Sequence, residues 1–189
     1  MNEESLIPAS AKLVFKGILF EIWQWEQKMY DGSIRTFERA KRFDSVNVIA
    51  VVGDKILIQE QEQPAKPGPY FSLPGGRVED KEPLEEAKRE LLEETGYASN
   101  DWEHLSTELP SSFLVFKNFI YVARNCKFVA EPKFDGGEKI KTDLVNFEEF
   151  LKLVENPLFR IPFSLTKNLL RMRIYPKEKE EFYNLLYSK

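Results

Sequence analysis

An α/β sandwich on a mixed sheet, with an antiparallel strand extension at the N-terminus, is the fold class this chain predicts. Three observations lead there. Strand-like runs bounded by tight turns fill the chain up to residue 82. An amphipathic helix follows over Pro83–Thr95, and further strands then alternate with helical segments. Tight turns between neighbouring strands argue against a doubly wound parallel sheet, in which each connection is a crossover. The 189 residues suffice for one domain with a substantial core and are too few for two full-sized ones. That domain reads as residues 45–189, with residues 1–44 as a β extension of it.

From Lys12 to Tyr30 the chain is rich in β-formers (Leu13, Phe15, Ile18, Phe20, Ile22, Trp23, Trp25), and Asp31-Gly32 turns it into Ile34–Arg39, giving an N-terminal antiparallel pair. Val46–Val52 is a nearly continuous apolar run. Gly53-Asp54 then gives a tight turn into Ile56–Ile58. Pro64, Pro67, Gly68 and Pro69 exclude regular structure over Gln63–Tyr70, so this stretch is a loop into a short strand, Phe71–Leu73. Pro83 opens the helix where a missing N–H is harmless, and Gly96 closes it as a left-handed cap. Beyond it, 113–116, 118–123, 127–130 and 141–146 read as strands, and 147–154, 163–172 and 177–187 carry helical spacing.

Composition narrows the function. Hydrophobic residues at 42% and charged ones at 31% describe a folding chain rather than a disordered one. A net charge of -4 provides no basic field for a nucleic-acid polymer, yet permits binding of a single nucleotide. No apolar run is long enough for a membrane span, and Met1-Asn2-Glu3-Glu4 lacks a signal peptide's pattern, so the cytoplasm is the expected compartment. His104 and Cys126 are the only residues of their kinds, which leaves no zinc site, disulfide, Cys–His pair or Ser-His-Asp triad to propose.

The helix carries the chemistry. Glu86, Glu90, Glu93 and Glu94 fall within one arc, with Leu84, Ala87 and Leu91 on the other side. Like charges one turn apart repel, so the stripe is either a solvated face with compensating cations or a place for a metal ion. Clustered carboxylates without His or Cys favour Mg²⁺ or Mn²⁺, which commonly joins one or two carboxylates to substrate phosphates. Just upstream, Gly75 and Gly76 either let backbone approach a pyrophosphate or supply positive φ in the turn.

Together, Gly76 to Tyr97 resembles the signature of the Nudix hydrolases, G-x5-E-x7-R-E-U-x-E-E-x-G-U, where U is a bulky apolar residue. Arg89, Glu90, Leu91, Glu93, Glu94, Gly96 and Tyr97 fill its second half. The first half departs: five residues lead from Gly76 to Glu82 but six, not seven, follow to Arg89, and keeping seven would put Lys81 at the glutamate position. The resemblance implies a Nudix-like α/β/α sandwich, divalent-metal ligands at Glu90, Glu93 and Glu94, and cleavage of a diphosphate by water. Arg89 is either an orienting partner of Glu93 or an ordinary surface ion pair with Glu85 or Glu93.

Asp135-Gly136-Gly137-Glu138 before a strand is similar to the branch acting on ADP-ribose and nucleoside diphosphate sugars, where such a glutamate is metal ligand or general base. Glu138 is otherwise a plain turn residue. The same branch often carries N-terminal strands used for dimerisation and base stacking. That makes Trp23, Trp25 and Tyr30 candidates for a purine platform, Arg39 or Arg42 for a phosphate or ribose contact, and a homodimer through these strands the expected assembly. Two departures are plain: Ser72 stands where the branch has glutamate before Leu-Pro, and Gln61-Glu62-Gln63 stands for its Q-Y-R strand end. Pro110-Ser111-Ser112 resembles a substrate loop or is simply a turn. The alternatives to a nucleotide-sugar pyrophosphatase are a (d)NTP or dinucleoside polyphosphate pyrophosphatase and a non-catalytic nucleotide-binding homologue.

Overall fold

A computed structural model describes residues 6–64, 66–79, 82–109, 113–134 and 136–187. The N-terminal run is not a pair but a meander of β1 (Lys12–Lys16), β2 (Glu21–Lys28) and β3 (Ile34–Lys41). Gly17 ends the first strand, its N–H donating to the Phe20 carbonyl at 2.8 Å to close a turn that apolar content alone does not reveal. At the next turn Asp31 Oδ1 accepts from Ser33 N at 2.9 Å, and Gly32 takes φ 86°, which favours glycine.

The second sheet combines β4 (Ser45–Val52), β5 (Lys55–Glu62), β6 (Tyr70–Ser72), β8 (Asp101–Glu108), β10 (Asn118–Arg124), β12 (Lys139–Val145) and β13 (Phe159–Arg160). Its order is β13-β6-β5-β4-β10-β8, with β12 also paired to β5. β10 runs parallel to β4 and β13 to β6, while the other pairings are antiparallel, so the sheet is mixed. β7 (Tyr97–Ala98) and β11 (Lys127–Phe128) form a separate ribbon. β9 (Leu114–Val115), shorter than its sequence suggests, runs parallel to β3 in the N-terminal sheet.

Side-chain alternation sorts the core onto two faces. Val46, Val48 and Ala50 of β4 pack with Leu57 of β5 and Tyr121 and Ala123 of β10 against Ala87 and Leu91 of α1 (Pro83–Thr95). Ile49, Val51, Ile56, Ile58, Ile120 and Val122 point the other way. There they meet α2 (Phe147–Lys152), α3 (Phe163–Met172) and α4 (Pro176–Tyr187), which completes the α/β/α sandwich. Asn146 starts α2 with a reciprocal capping box to Glu149. The Ser164 N–H near the start of α3 instead bonds Glu108 on β8 at 2.8 Å. β8 itself is absent from the sequence pattern, since Trp102 and Leu105 are its only apolar residues; antiparallel pairing with β10 defines it.

One irregularity positions the site. β4 pairs with β5 only at Val51↔Ile56 and Val52↔Lys55, and β6 takes the same edge of β5 from Gln59 onward. The remaining edge of β4 is filled by the chain leaving β6: Val46 and Val48 donate to the Gly76 and Pro74 carbonyls at 2.9 Å, and Val78 to Asp44 at 2.9 Å. Gly75 and Gly76 are thereby pinned between β4 and α1.

Candidate active site

A cleft of about 830 Å³ lies along this seam. Its acidic wall is the stripe of α1, with Glu86 3% and Glu94 8% exposed, while the Glu93 side chain at 42% reaches solvent. Glu90, Glu93 and Glu138 line the same cleft. Arg42, Lys66, Arg77, Lys133 and Arg160 also line it.

Each carboxylate is held. Arg89 sits among three of them, with Nη2 donating to Glu86 Oε2 at 2.8 Å and to Glu90 Oε1, and Nη1 donating to Glu93 Oε2 at 2.5 Å. The bond to Glu86 leads the interactions that raise the guanidinium's proton affinity, so Arg89 is firmly cationic. Glu94 Oε2 accepts from the Gly75 N–H at 2.9 Å and from Gln59 Nε2 at 3.1 Å. Burial pushes Glu94 up to about 8 despite the Gly75 bond, and Glu90 adds to the rise. Glu90 is pushed up to about 7, again by burial first, with Arg89 opposing and Glu93 and Glu86 reinforcing.

The glycines show how close this contact is. A Cβ on Gly76 would lie 2.2 Å from Glu90 Oε1, and one on Gly75 would lie 2.1 Å from the Val46 carbonyl oxygen. Both positions need glycine for close approach.

Among the described residues no three acidic side chains close on one point as a finished metal cage, because the Arg89 guanidinium occupies the space between Glu86, Glu90 and Glu93. The donor set nevertheless fits Mg²⁺ or Mn²⁺. It is all hard oxygen, and burial leaves the Glu90 and Glu94 carboxylates short of the positive charge that would keep them ionised.

Of the residues singled out from sequence, Arg42, Gly75, Gly76, Arg89, Glu90, Glu93, Glu94 and Glu138 meet in the cleft. Arg42 has its proton affinity lowered by burial and then by neighbouring Arg77, with Asp44 opposing. Trp23 and Arg39 do not line it. The Trp23 indole bonds Glu21 at 3.2 Å, and Arg39 lies 5.5 Å over the Trp25 ring and donates to the Leu6 carbonyl. Trp25 is buried and Tyr30 stands fully exposed near the β2–β3 turn, so this chain's own cleft has no aromatic platform from them. Glu82 is the exposed residue before α1 and lies outside the cleft. Lys81, Asp135 and Pro110-Ser111-Ser112 fall outside the described residues.

Sequence reasoning missed the buried polar strand beneath the helix. Gln59 and Gln61 are 0% and 4% exposed, and with Gln63 they face the α1 side at every second residue of and just beyond β5. That period was visible, because on this face Leu57 is followed by three amides at alternate positions.

The fold and cleft agree with the comparisons. Residues 41–164 match the NUDIX domain, and the chain belongs to that family. It is a Nudix hydrolase, an enzyme of the class that cleaves phosphoric anhydride bonds. Among curated relatives, the ADP-ribose pyrophosphatase of Bacillus subtilis (strain 168) is 26% identical over 147 residues, 76% of this chain and 80% of that protein. The ADP-ribose pyrophosphatase of Saccharomyces cerevisiae (strain ATCC 204508 / S288c) is 27% identical over 88 residues, 43% of this chain and 38% of that one. A crystal structure of an ADP compounds hydrolase superposes with a TM-score of 0.72 at 21% identity, covering 89% of this chain and 94% of its own, a likeness of fold.

Proposed function

We propose that this enzyme hydrolyses the diphosphate linkage of a nucleoside diphosphate derivative, ADP-ribose or a related nucleotide sugar, to a nucleoside monophosphate and a sugar phosphate. The observation that carries the proposal is the two-signed cleft, lined by Glu86, Glu90, Glu93 and Glu94 of α1 and by Glu138 together with Arg42, Lys66, Arg77 and Arg160. The names of the two curated relatives favour ADP-ribose within that class.

Glu90, Glu93 and Glu94 are the residues that would hold Mg²⁺ or Mn²⁺, which when bound neutralises charge developing on the phosphates and assists ionisation of water. Arg89 orients Glu93, Glu90 and Glu86 through its fork of donors. Glu138, or alternatively Glu93, takes a proton from the attacking water. Its oxygen then bonds to one phosphorus as the bridging P–O bond breaks, and the bridging oxygen leaves on the other phosphate. Gly75 and Gly76 keep the backbone beside these carboxylates, and Arg42 contacts phosphate or ribose.

The N-terminal sheet supports a homodimer, since Leu13, Val14, Phe15, Ile34 and Phe37 are all exposed apolar side chains on it. Trp23 and Arg39 belong to this sheet, so a substrate role for them requires the partner's cleft. No helix among the described residues is long and apolar enough to cross a membrane. Cys126 is a buried free thiol, and the cytoplasm remains the compartment we propose.

A product-resolved panel tests the function. ADP-ribose and nucleotide sugars should yield monophosphates in Mg²⁺ or Mn²⁺, and Glu90→Gln or Glu94→Gln should remove turnover while the chain stays folded. Preferential release of pyrophosphate from dNTPs, cleavage of dinucleoside polyphosphates alone, or binding with no product would each replace this reading.

A further inference from the structure

The glutamines on β5 connect the two walls of the cleft. Gln59 Nε2 donates to Glu94 Oε2 at 3.1 Å, and Gln61 Nε2 donates to Gln59 Oε1 at 2.7 Å. Gln63 Nε2 donates to Gln61 Oε1 at 3.4 Å and to Glu138 Oε1 at 3.0 Å. A continuous row of amides therefore runs from the helix carboxylate to the turn before β12. Gln61 is the hub: its Nε2 also donates to Ser72 Oγ at 2.7 Å, and its Oε1 accepts from Tyr70 Oη at 2.8 Å. With both N–H groups and the carbonyl engaged inside the protein, its amide has one orientation.

Packing alone does not call for this row. Leu57, two residues upstream on the same face, fills the space under α1 without polar atoms. Burying amides is unfavourable unless every group is bonded, and here each link is made. The two departures from the family pattern fall within it. Gln63 and Ser72 are neutral where the branch has arginine and glutamate, so the link between the walls consists of neutral side chains.

We propose that Gln59, Gln61 and Gln63 form a positioning ladder that fixes Glu94 and Glu138 relative to each other across the cleft, with Gln61 acting on both while touching neither. This rests on the reading of those glutamates given above. A polar partner behind a metal-binding or reacting carboxylate holds its rotamer, and loss of such a partner commonly lowers metal affinity or activity by roughly 10- to 100-fold.

The decisive variants are Gln61→Met, which keeps the volume and removes the hub, and Gln63→Met, which detaches Glu138 from the row at a half-buried position by removing the bonds to Glu138 and to Gln61 Oε1. For Gln61→Met with an unchanged circular-dichroism spectrum, calorimetric titration with Mn²⁺ should show binding weakened by about 10-fold or more, and kcat should fall by a similar factor with little change in KM. Glu138→Gln should reduce kcat much less in the Gln63→Met background than in wild type, because both changes act through one connection. Mn²⁺ binding and kcat within about twofold of wild type in Gln61→Met would overturn the ladder, as would multiplicative effects of Gln63→Met and Glu138→Gln. If Gln61→Met does not fold, the second cycle decides alone. Undiminished Mn²⁺ binding by Glu94→Gln would instead refute the metal site itself, an outcome distinct from failure of the ladder.

Discussion

Gly76→Ala separates the site's geometry from the fold's stability. The new methyl would stand 2.2 Å from Glu90 Oε1, 2.5 Å from Cδ and 3.0 Å from Oε2. Relief to ordinary van der Waals separation moves the carboxylate by about 1 Å, a displacement that costs roughly 100-fold in rate when the group must meet a ligand, or about 2.7 kcal/mol of barrier. The obstacle is the end of a flexible side chain, so unfolding should change by no more than about 1 kcal/mol. Gly75→Ala is the contrast. Its methyl meets Val46 O at 2.1 Å, Val46 C at 3.0 Å and Asn47 Cα at 3.1 Å, all backbone of a central strand. Strand and loop must then part, at a cost of about 1–3 kcal/mol, a fall in Tm of roughly 2–12 °C for a chain of this size. Steady-state kinetics and thermal melts on the two variants read both quantities. Full activity in Gly76→Ala would show that Glu90 is not needed where it stands, and equal melting points for the two variants would refute the distinction between side-chain and backbone clash.

Arg89→Ala leaves Glu86 buried without its cation, so it should destabilise by about 3 kcal/mol; equal denaturant midpoints with wild type would exclude this. The raised Glu90 and Glu94 carboxyls, near 7 and 8 against 4.5 in the open chain, favour the protonated folded state. The stability they contribute is complete below about pH 4.5 and is lost as pH rises through 7 and 8, so the melting point in chelator should decline across that window. Glu94→Gln should flatten the decline, and added Mg²⁺ should offset it more at pH 8 than at pH 5.5; identical pH profiles for wild type and Glu94→Gln would refute the assignment. Burial pushes the Cys126 thiol up to about 12, so it should react with a thiol reagent at pH 8 only on unfolding; rapid labelling of the native protein would contradict that.

Local chemistry explains why some elements were readable and others were not. α1 announced both ends, with Pro83 inside its start and Gly96 in the left-handed cap at φ 74°. The β4–β5 hairpin was equally plain from Gly53-Asp54. β8 was not, because a largely polar edge strand has little periodicity and is defined by its neighbour. The N-terminal pair became three strands because one glycine turn, at Gly17–Phe20, carries no strong signal. For the site, helical spacing grouped Glu90, Glu93 and Glu94 and predicted the Arg89–Glu93 contact, but not that Glu86 and Glu90 share the same guanidinium.

By itself the sequence determined what short-range periodicity and capping can encode: α1, its acidic face, the glycine turn before it, and a family resemblance resting on seven residues of that helix and its cap. Only the tertiary structure decided that this face lines a cleft, that Glu138 and the β5 glutamines join it, and that Trp23 and Arg39 stand apart. The reason is that β4 separates from β5 after two residue pairs, and the seam this leaves is set by non-local strand pairing, which no local pattern along the chain records.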